Sequence, residues 1–381
     1  MNYTALQKRV QRFTGASSQA LGKALQGAGV QIYSGRAVCR DARTVAVLDT
    51  DGQTAAMLSG NHIILASGSR SAAFPGLTPD HDAVLDSTDL LNIAAVPESL
   101  LIVGAGAIGL EMADFFSAMG STVTVVEAAP QLAPTEDEDL AREMEKLLRK
   151  TGLTILTGVR AASLLTRDGQ AVLTLEDGRE LCATKALVAV GRTPNTDGLG
   201  VASTGGSLDR RGFVQTDDYL QTAPGIFAIG DVNGRTLLAH AAEHQAVYVA
   251  RQILGLDSGA YDPGPIPSCI YGSLEVMRVG LTAREAKAGG GEVAVSRAPL
   301  IANAIAQAGG DPAGFVKVVW RDGRMAGIAA LGHHGSHLGT AAQLLVLGQY
   351  HGERLHHFMF AHPTLDEILH AAITASREAV D

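Results

Sequence analysis

The sequence predicts an α/β fold, and three observations carry that expectation. Leu101 to Glu127, LIVGAGAIGLEMADFFSAMGSTVTVVE, passes from an apolar run through a glycine turn into helical periodicity, then out into β-branched alternation. A second apolar run, Gly225 to Ile229, stops at Gly230-Asp231, and ligands approach open α/β sheets at strand ends of this kind. The chain has 381 residues, 46% of them hydrophobic, which suits two or three ordered domains better than one core.

The first stretch reads as a dinucleotide-binding βαβ unit. Gly104, Gly106 and Gly109 fit G-x-G-x-x-G: a tight turn, a close approach of backbone to a pyrophosphate, and close packing of helix on strand. Ile108, Met112, Phe115, Phe116 and Met119 recur at helical spacing, so phosphates would meet the start of that helix. Glu127 stands about 20 residues on, where an acid accepts from a ribose 2′-OH.

Composition narrows the partners. A net charge of −9 without a lysine or arginine run argues against nucleic acid and against an anionic membrane. The opening MNYTALQKRVQRF lacks the apolar core of a signal peptide, and no stretch nears the roughly 18 apolar residues of a membrane span, so a soluble cytoplasmic protein is expected. Cys39, Cys182 and Cys269 lie far apart and form neither C-x-x-C nor C-x4-C, and each reads as a small hydrophobe.

In chain order, Leu6, Val10, Phe13, Leu21 and Leu25 set a helix over residues 4–26. Residues 30–33, 44–48 and 55–58 read as short antiparallel strands with a turn at Asp51-Gly52, and 62–66 as a more apolar strand. Thr135 to Glu138 resembles a capping box before a helix with Leu140, Met144, Leu147 and Leu148 on one face. Strands follow at 153–156, 172–175 and 186–190, the last running into Gly191-Arg192. After Asp231 a helix is expected from Leu238 to Leu254. His333, His334 and His337 invite a metal reading, but no carboxylate or cysteine lies beside them, and a polar loop before a helix at 341–347 accounts for them.

Taken together, ILASGS at 64–69, GAGAIGLE at 104–111, GRTPN at 191–195, TAPGIFAIGD at 222–231, PSCIYGSLEVMRVGLT at 267–282 and AHPTLDE at 361–367 resemble successive landmarks of the pyridine nucleotide-disulfide oxidoreductases, most of all the dihydrolipoyl dehydrogenase branch. The resemblance implies three-layer nucleotide-binding domains of the FAD/NAD(P)-binding type plus an α+β C-terminal interface/dimerisation domain. It divides the chain into an FAD-binding domain at 1–86 and 214–262, an NAD-binding domain at 87–213 and an interface domain at 263–381. It also implies hydride transfer between NAD(H) and FAD, with electrons exchanged with a small dithiol or disulfide or a lipoyl domain.

By the same resemblance, Gly191 and Arg192 belong to a cofactor motif and Asp231, after Gly230, meets the flavin's ribitol. The helix starting at Leu238, Ala239 and His240 aims its N-terminus at the flavin ring, and Glu111 matches a carboxylate that pairs with a lysine beside redox cysteines. His362 is the acid/base, oriented by Glu367 one helical turn on, and serves the other subunit of a homodimer. Glu127 repels a 2′-phosphate and AAPQLAP after it offers no cation, so NAD is expected over NADP. The family's first G-x-G-x-x-G, its C-x4-C and its lysine are not in this sequence, so the expectation is an N-terminally truncated form with an incomplete FAD site. The helix at 4–26 and the strand at 227–229 are then expected to expose apolar surface. The alternative is an NAD(H)-binding dimeric module without disulfide redox activity.

Overall fold

The computed structural model describes residues 2–350, 352–355 and 357–380. The chain divides into two compact units, Met1–Ser71 with Arg192–Pro263, and Ala72–Gly191 with Gly264–Asp381.

The first unit opens with the helix Tyr3–Gly27, whose start is capped by the Asn2 side chain accepting from the Ala5 amide. None of its residues is buried, and Val10, Phe13 and Leu21 are 52%, 73% and 62% exposed, in line with the exposure expected for this helix. The strand expected at 30–33 is not formed. Pairing begins instead at Arg36–Cys39, which runs antiparallel to Thr44–Leu48, itself paired with Thr54–Ser59. Val47 and Cys39 face inward there, whereas Ile32 and Tyr33 have no strand beside them and stay exposed. Local β-propensity without a partner strand does not hold an extended segment.

Ile63–Leu65 lies parallel to Ile226–Ala228, and Gln221–Ala223 covers the latter strand's other edge. Phe227 and Ile229 are therefore buried against Leu220 and Val249, contrary to the exposure expected for that strand. Ser69–Ser71 pairs antiparallel with Arg192–Pro194. The helix after Asp231 spans Ala239–Ile253.

The second unit contains a five-stranded parallel sheet in the order Val84–Leu85, Lys185–Val188, Ser99–Val103, Thr122–Glu127, Thr154–Thr157. Leu100 and Ile102 point to one face, against Leu110 and Phe116 of the helix Ala107–Ala118 and Leu140 and Met144 of the helix Glu138–Lys150. Leu101 and Val103 point to the other, against Leu164, Leu173 and Leu175 of an antiparallel three-stranded sheet. The result is three layers, with the glycine turn at the carboxyl edge of the central strand. A six-stranded antiparallel sheet follows, in the order Ser268–Ile270, Glu275–Gly280, Arg324–Gly332, Phe315–Arg321, Val293–Pro299, Glu378–Ala379. The helices Gly339–Leu347 and Glu367–Thr374 cover one of its faces through Leu345, Val346, Ile368 and Leu369. An α/β architecture with an α+β C-terminal part is thus what the chain forms.

The expected capping box at Thr135 to Glu138 is not made. Asp137 stands at the N-cap of Glu138–Lys150, but its side chain makes no cap bond there. The carboxylate instead receives the Lys317 ammonium at 2.6 Å and the Ala283 amide at 2.9 Å. Lys317, 1% exposed, also reaches Asp139 at 2.6 Å, and Asp139 pairs with Arg297. A buried ammonium is tolerable only with such partners, and serving it turns the Asp137 carboxylate away from the amides of its own helix.

Candidate functional site

The glycine turn of the second unit is built so that each glycine is needed for a different reason. Gly104 has φ +105°, and a Cβ there would lie 2.4 Å from the Ala189 carbonyl oxygen. A Cβ on Gly109 would come within 1.9 Å of the Gly104 carbonyl oxygen, so helix and strand touch through backbone. Gly106 faces open space, with nothing within 4 Å of the position its Cβ would take. It is the N-cap of Ala107–Ala118 and gives no side-chain cap, so the first-turn amides, Ile108 among them, are available to an anion.

Glu127 ends the neighbouring strand and turns back onto this loop. Its Oε2 accepts the Ala105 amide and its Oε1 the Ala129 amide, both at 2.7 Å. Each carboxylate oxygen keeps a lone pair for a further donor. Glu111, on the following helix, accepts the Tyr271 amide at 3.1 Å, and burial pushes its carboxyl group up from the ordinary value.

In the first unit, Gly230 takes φ +69° and its amide donates to Gln245 Oε1 at 2.8 Å. Asp231 sits on the short turn Gly230–Asn233, and its Oδ2 accepts from Ser69 Oγ at 2.5 Å. Arg192 donates through Nε to Ser69 Oγ at 2.6 Å and through Nη2 to the Ser69 carbonyl at 2.9 Å. Gly191, which ends a segment of the second unit, has φ +132° and accepts the Ala72 amide through its carbonyl. Leu238 is the N-cap of Ala239–Ile253 and provides no side-chain cap, so Ala239 and His240 begin that helix. Ser69, Gln245 and Asn233 were not among the residues expected from sequence. Ser69 lies inside the ILASGS landmark, and that was the one available signal.

His362 and Glu367 come together as expected: the imidazole Nδ1 lies 2.9 Å from one carboxylate oxygen and 3.2 Å from the other. The helix starts later than the spacing suggests, at Glu367 itself, so the contact is made across the turn after a cis His362-Pro363 bond. The Thr364 amide and the His362 imidazole both donate to Glu367 and hold its carboxyl below the usual range. Since the carboxylate accepts at Nδ1, that nitrogen carries hydrogen and Nε2 is left to take a proton. The His362 side chain is 75% exposed.

The His334 ring stacks on that of His337 with centroids 4.8 Å apart, and the His333 ring lies tilted against the His334 ring at 3.8 Å. Among the described residues no group of three or more His, Cys, Asp or Glu is placed to hold a metal. All three cysteines are free: Cys39 buried, Cys182 exposed, Cys269 between. No helix among the described residues is long and apolar enough to cross a membrane.

Comparison with known proteins shows the family to which the chain belongs. Residues 3–246 match the pyridine nucleotide-disulphide oxidoreductase family, and residues 266–373 match the dimerisation domain of the same family. The chain is 36% identical to a dihydrolipoyl dehydrogenase from Chlorobaculum tepidum over 376 residues, covering 96% of this chain and 79% of that protein. With the dihydrolipoyl dehydrogenase of Bacillus subtilis it shares 36% over 350 residues, 88% of this chain and 73% of the other. The crystal structure of LpdA from Mycobacterium tuberculosis superposes with a TM-score of 0.90 at 27% identity, covering 98% of this chain and 83% of that one. The Cu(II) complex of the HOCl-induced flavoprotein disulfide reductase RclA from Escherichia coli gives 0.89 at 25%, covering 97% and 85%. The chain therefore belongs to the pyridine nucleotide-disulphide oxidoreductase family, a family of FAD- and NAD(P)-binding enzymes, and is most like dihydrolipoyl dehydrogenase.

Proposed function

We propose that this chain is an NAD-linked, flavin-dependent disulfide oxidoreductase of the dihydrolipoyl dehydrogenase kind. It works as a homodimer and exchanges electrons with a small dithiol or disulfide or with a lipoyl domain. The observation that carries the reading is the closure of Glu127 on the glycine loop beside an uncapped helix start. A pyrophosphate fits over Gly106, where no side chain intrudes, and takes the first-turn amides. Glu127 accepts a ribose hydroxyl, and its charge, with no cation in residues 128–134, disfavours a 2′-phosphate. NAD is the nucleotide this chemistry selects.

The residues of the first unit suit a flavin. Asp231 accepts from a ribitol hydroxyl, Arg192 stands beside it at 3.5 Å, and the helix entered at Leu238, Ala239 and His240 offers its positive end. FAD, when bound, supplies a two-electron carrier between nicotinamide and dithiol. His362 takes a thiol proton at Nε2 and returns it, while Glu367 holds the ring in the required tautomer. Glu111, with its carboxyl raised by burial, is the carboxylate that the family pairs with a lysine beside its redox cysteines. The alternative, an NAD(H)-binding dimeric module without disulfide redox activity, is favoured by one observation: each of the three cysteines is free. NADH-dependent reduction of a lipoyl disulfide by the purified chain separates the two. Turnover supports the enzyme, and tight NADH binding without turnover supports the module.

A further inference from the structure

We propose that Ser69 is the positioning residue for Asp231: through a one-way relay from Arg192 it fixes which carboxylate oxygen is presented to a flavin ribitol hydroxyl. The inference rests on the reading that this chain binds FAD. Arginine has donors only, so the 2.6 Å contact from Arg192 Nε makes Ser69 Oγ an acceptor. The hydroxyl has a single proton, which is then committed to Asp231 Oδ2 at 2.5 Å. Bonds aligned in this way polarise one another in sequence. The direct Arg192–Asp231 approach is longer, 3.5 Å, and also falls on Oδ2. Among the described residues, every side-chain contact of Asp231 ends on that oxygen, so Oδ1 remains for a ligand donor.

The backbone under Asp231 is fixed separately. Gln245, 1% exposed, accepts at Oε1 from the Gly230 amide at 2.8 Å and from Asn233 Nδ2 at 2.9 Å. Asn233 Nδ2 also donates to the Ala228 carbonyl at 2.9 Å. Gln245 and Asn233 therefore hold the turn, and Ser69 sets the rotation of the carboxylate upon it. Without the hydroxyl, Arg192 and Asp231 would close the 3.5 Å gap directly and turn the carboxylate away from its present direction.

The test is a titration of the full chain with FAD, followed by quenching of flavin fluorescence, for the unaltered protein, Ser69→Ala and Ser69→Thr. Thermal melts and NADH affinity are measured on all three. Ser69→Ala is expected to weaken FAD about tenfold, as loss of one charge-assisted bond should. Ser69→Thr, which keeps the hydroxyl, should restore affinity, with NADH affinity and melting temperature unchanged throughout. Equal FAD affinity in Ser69→Ala and the unaltered chain overturns the inference but leaves the flavin reading standing. A matching fall in melting temperature in Ser69→Ala assigns the residue to folding and also overturns it. An unaltered chain that takes up no FAD overturns the flavin reading and this inference with it.

Discussion

Glu127 and Ala105 are joined across the mouth of the glycine loop: the carboxylate Oε2 accepts the Ala105 amide at 2.7 Å. The acid is thus held in place by the loop that would cradle the pyrophosphate, before any ribose hydroxyl is offered. Replacing Glu127 with alanine removes both the ribose acceptor and the acceptor for two backbone amides. NADH affinity is expected to fall at least about tenfold, the size of one bond to a charged group. Discrimination against NADPH should narrow, as measured by fluorescence titration with each nucleotide.

Gly106 and Gly109 should respond differently to the same substitution. Gly106→Ala places a methyl group in open space at a φ of −78°, so the melting temperature should hold while NADH affinity drops. Gly109→Ala drives its Cβ to 1.9 Å from the Gly104 carbonyl oxygen and should lower stability as well as binding. Equal melting temperatures for the two variants would contradict the division of roles.

Lys317 is enclosed with Asp137 and Asp139, and Lys317→Met should leave two carboxylates without their main cation. Asp139 keeps Arg297 and Asp137 keeps the Ala283 amide, so the loss should lie near the lower end for a broken buried pair, about 3 kcal/mol in chemical denaturation. Burial by itself would push the Asp139 carboxyl up, but the bonds and charges of Lys317 and Arg297 outweigh it and hold it low. A folded-state value below the unfolded one contributes stability that is present above about pH 4 and lost as pH falls through the folded value. The acid limb of the melting curve should therefore be shallower in Lys317→Met than in the unaltered protein.

His362→Ala should leave NADH affinity unchanged, because the imidazole contacts Glu367 and none of the nucleotide loop residues. Disulfide turnover should fall by about two orders of magnitude or more, the usual weight of a positioned acid/base. Glu367→Gln should reduce turnover less and move its pH dependence, since an amide still occupies the place beside Nδ1 without the charge. Loss of NADH binding in His362→Ala would show that the roles are wrongly divided.

The parts legible in the sequence were those where local chemistry and tertiary need coincide. Gly104 and Gly109 are required for steric reasons that no partner can relieve, and His362 with Glu367 are near in both sequence and space. What stayed hidden depends on residues far apart. Ser69 meets Asp231 across 162 positions, and Asp137 meets Lys317 across 180. Asp137 looked like part of a cap because nothing nearby betrays a buried lysine. The strand expected at 30–33 failed for the same reason in reverse, since its apolar residues have the right propensity and no neighbouring strand.

In the proposed reaction this chain passes reducing equivalents from NADH to a bound flavin. Anaerobic titration of the FAD-loaded chain with NADH tests it most directly, read as loss of the flavin's visible absorbance. Stoichiometric bleaching by NADH, with NADPH much less effective, is the expected result; a flavin band that NADH leaves unchanged would rule out hydride transfer from NADH to the flavin in this chain.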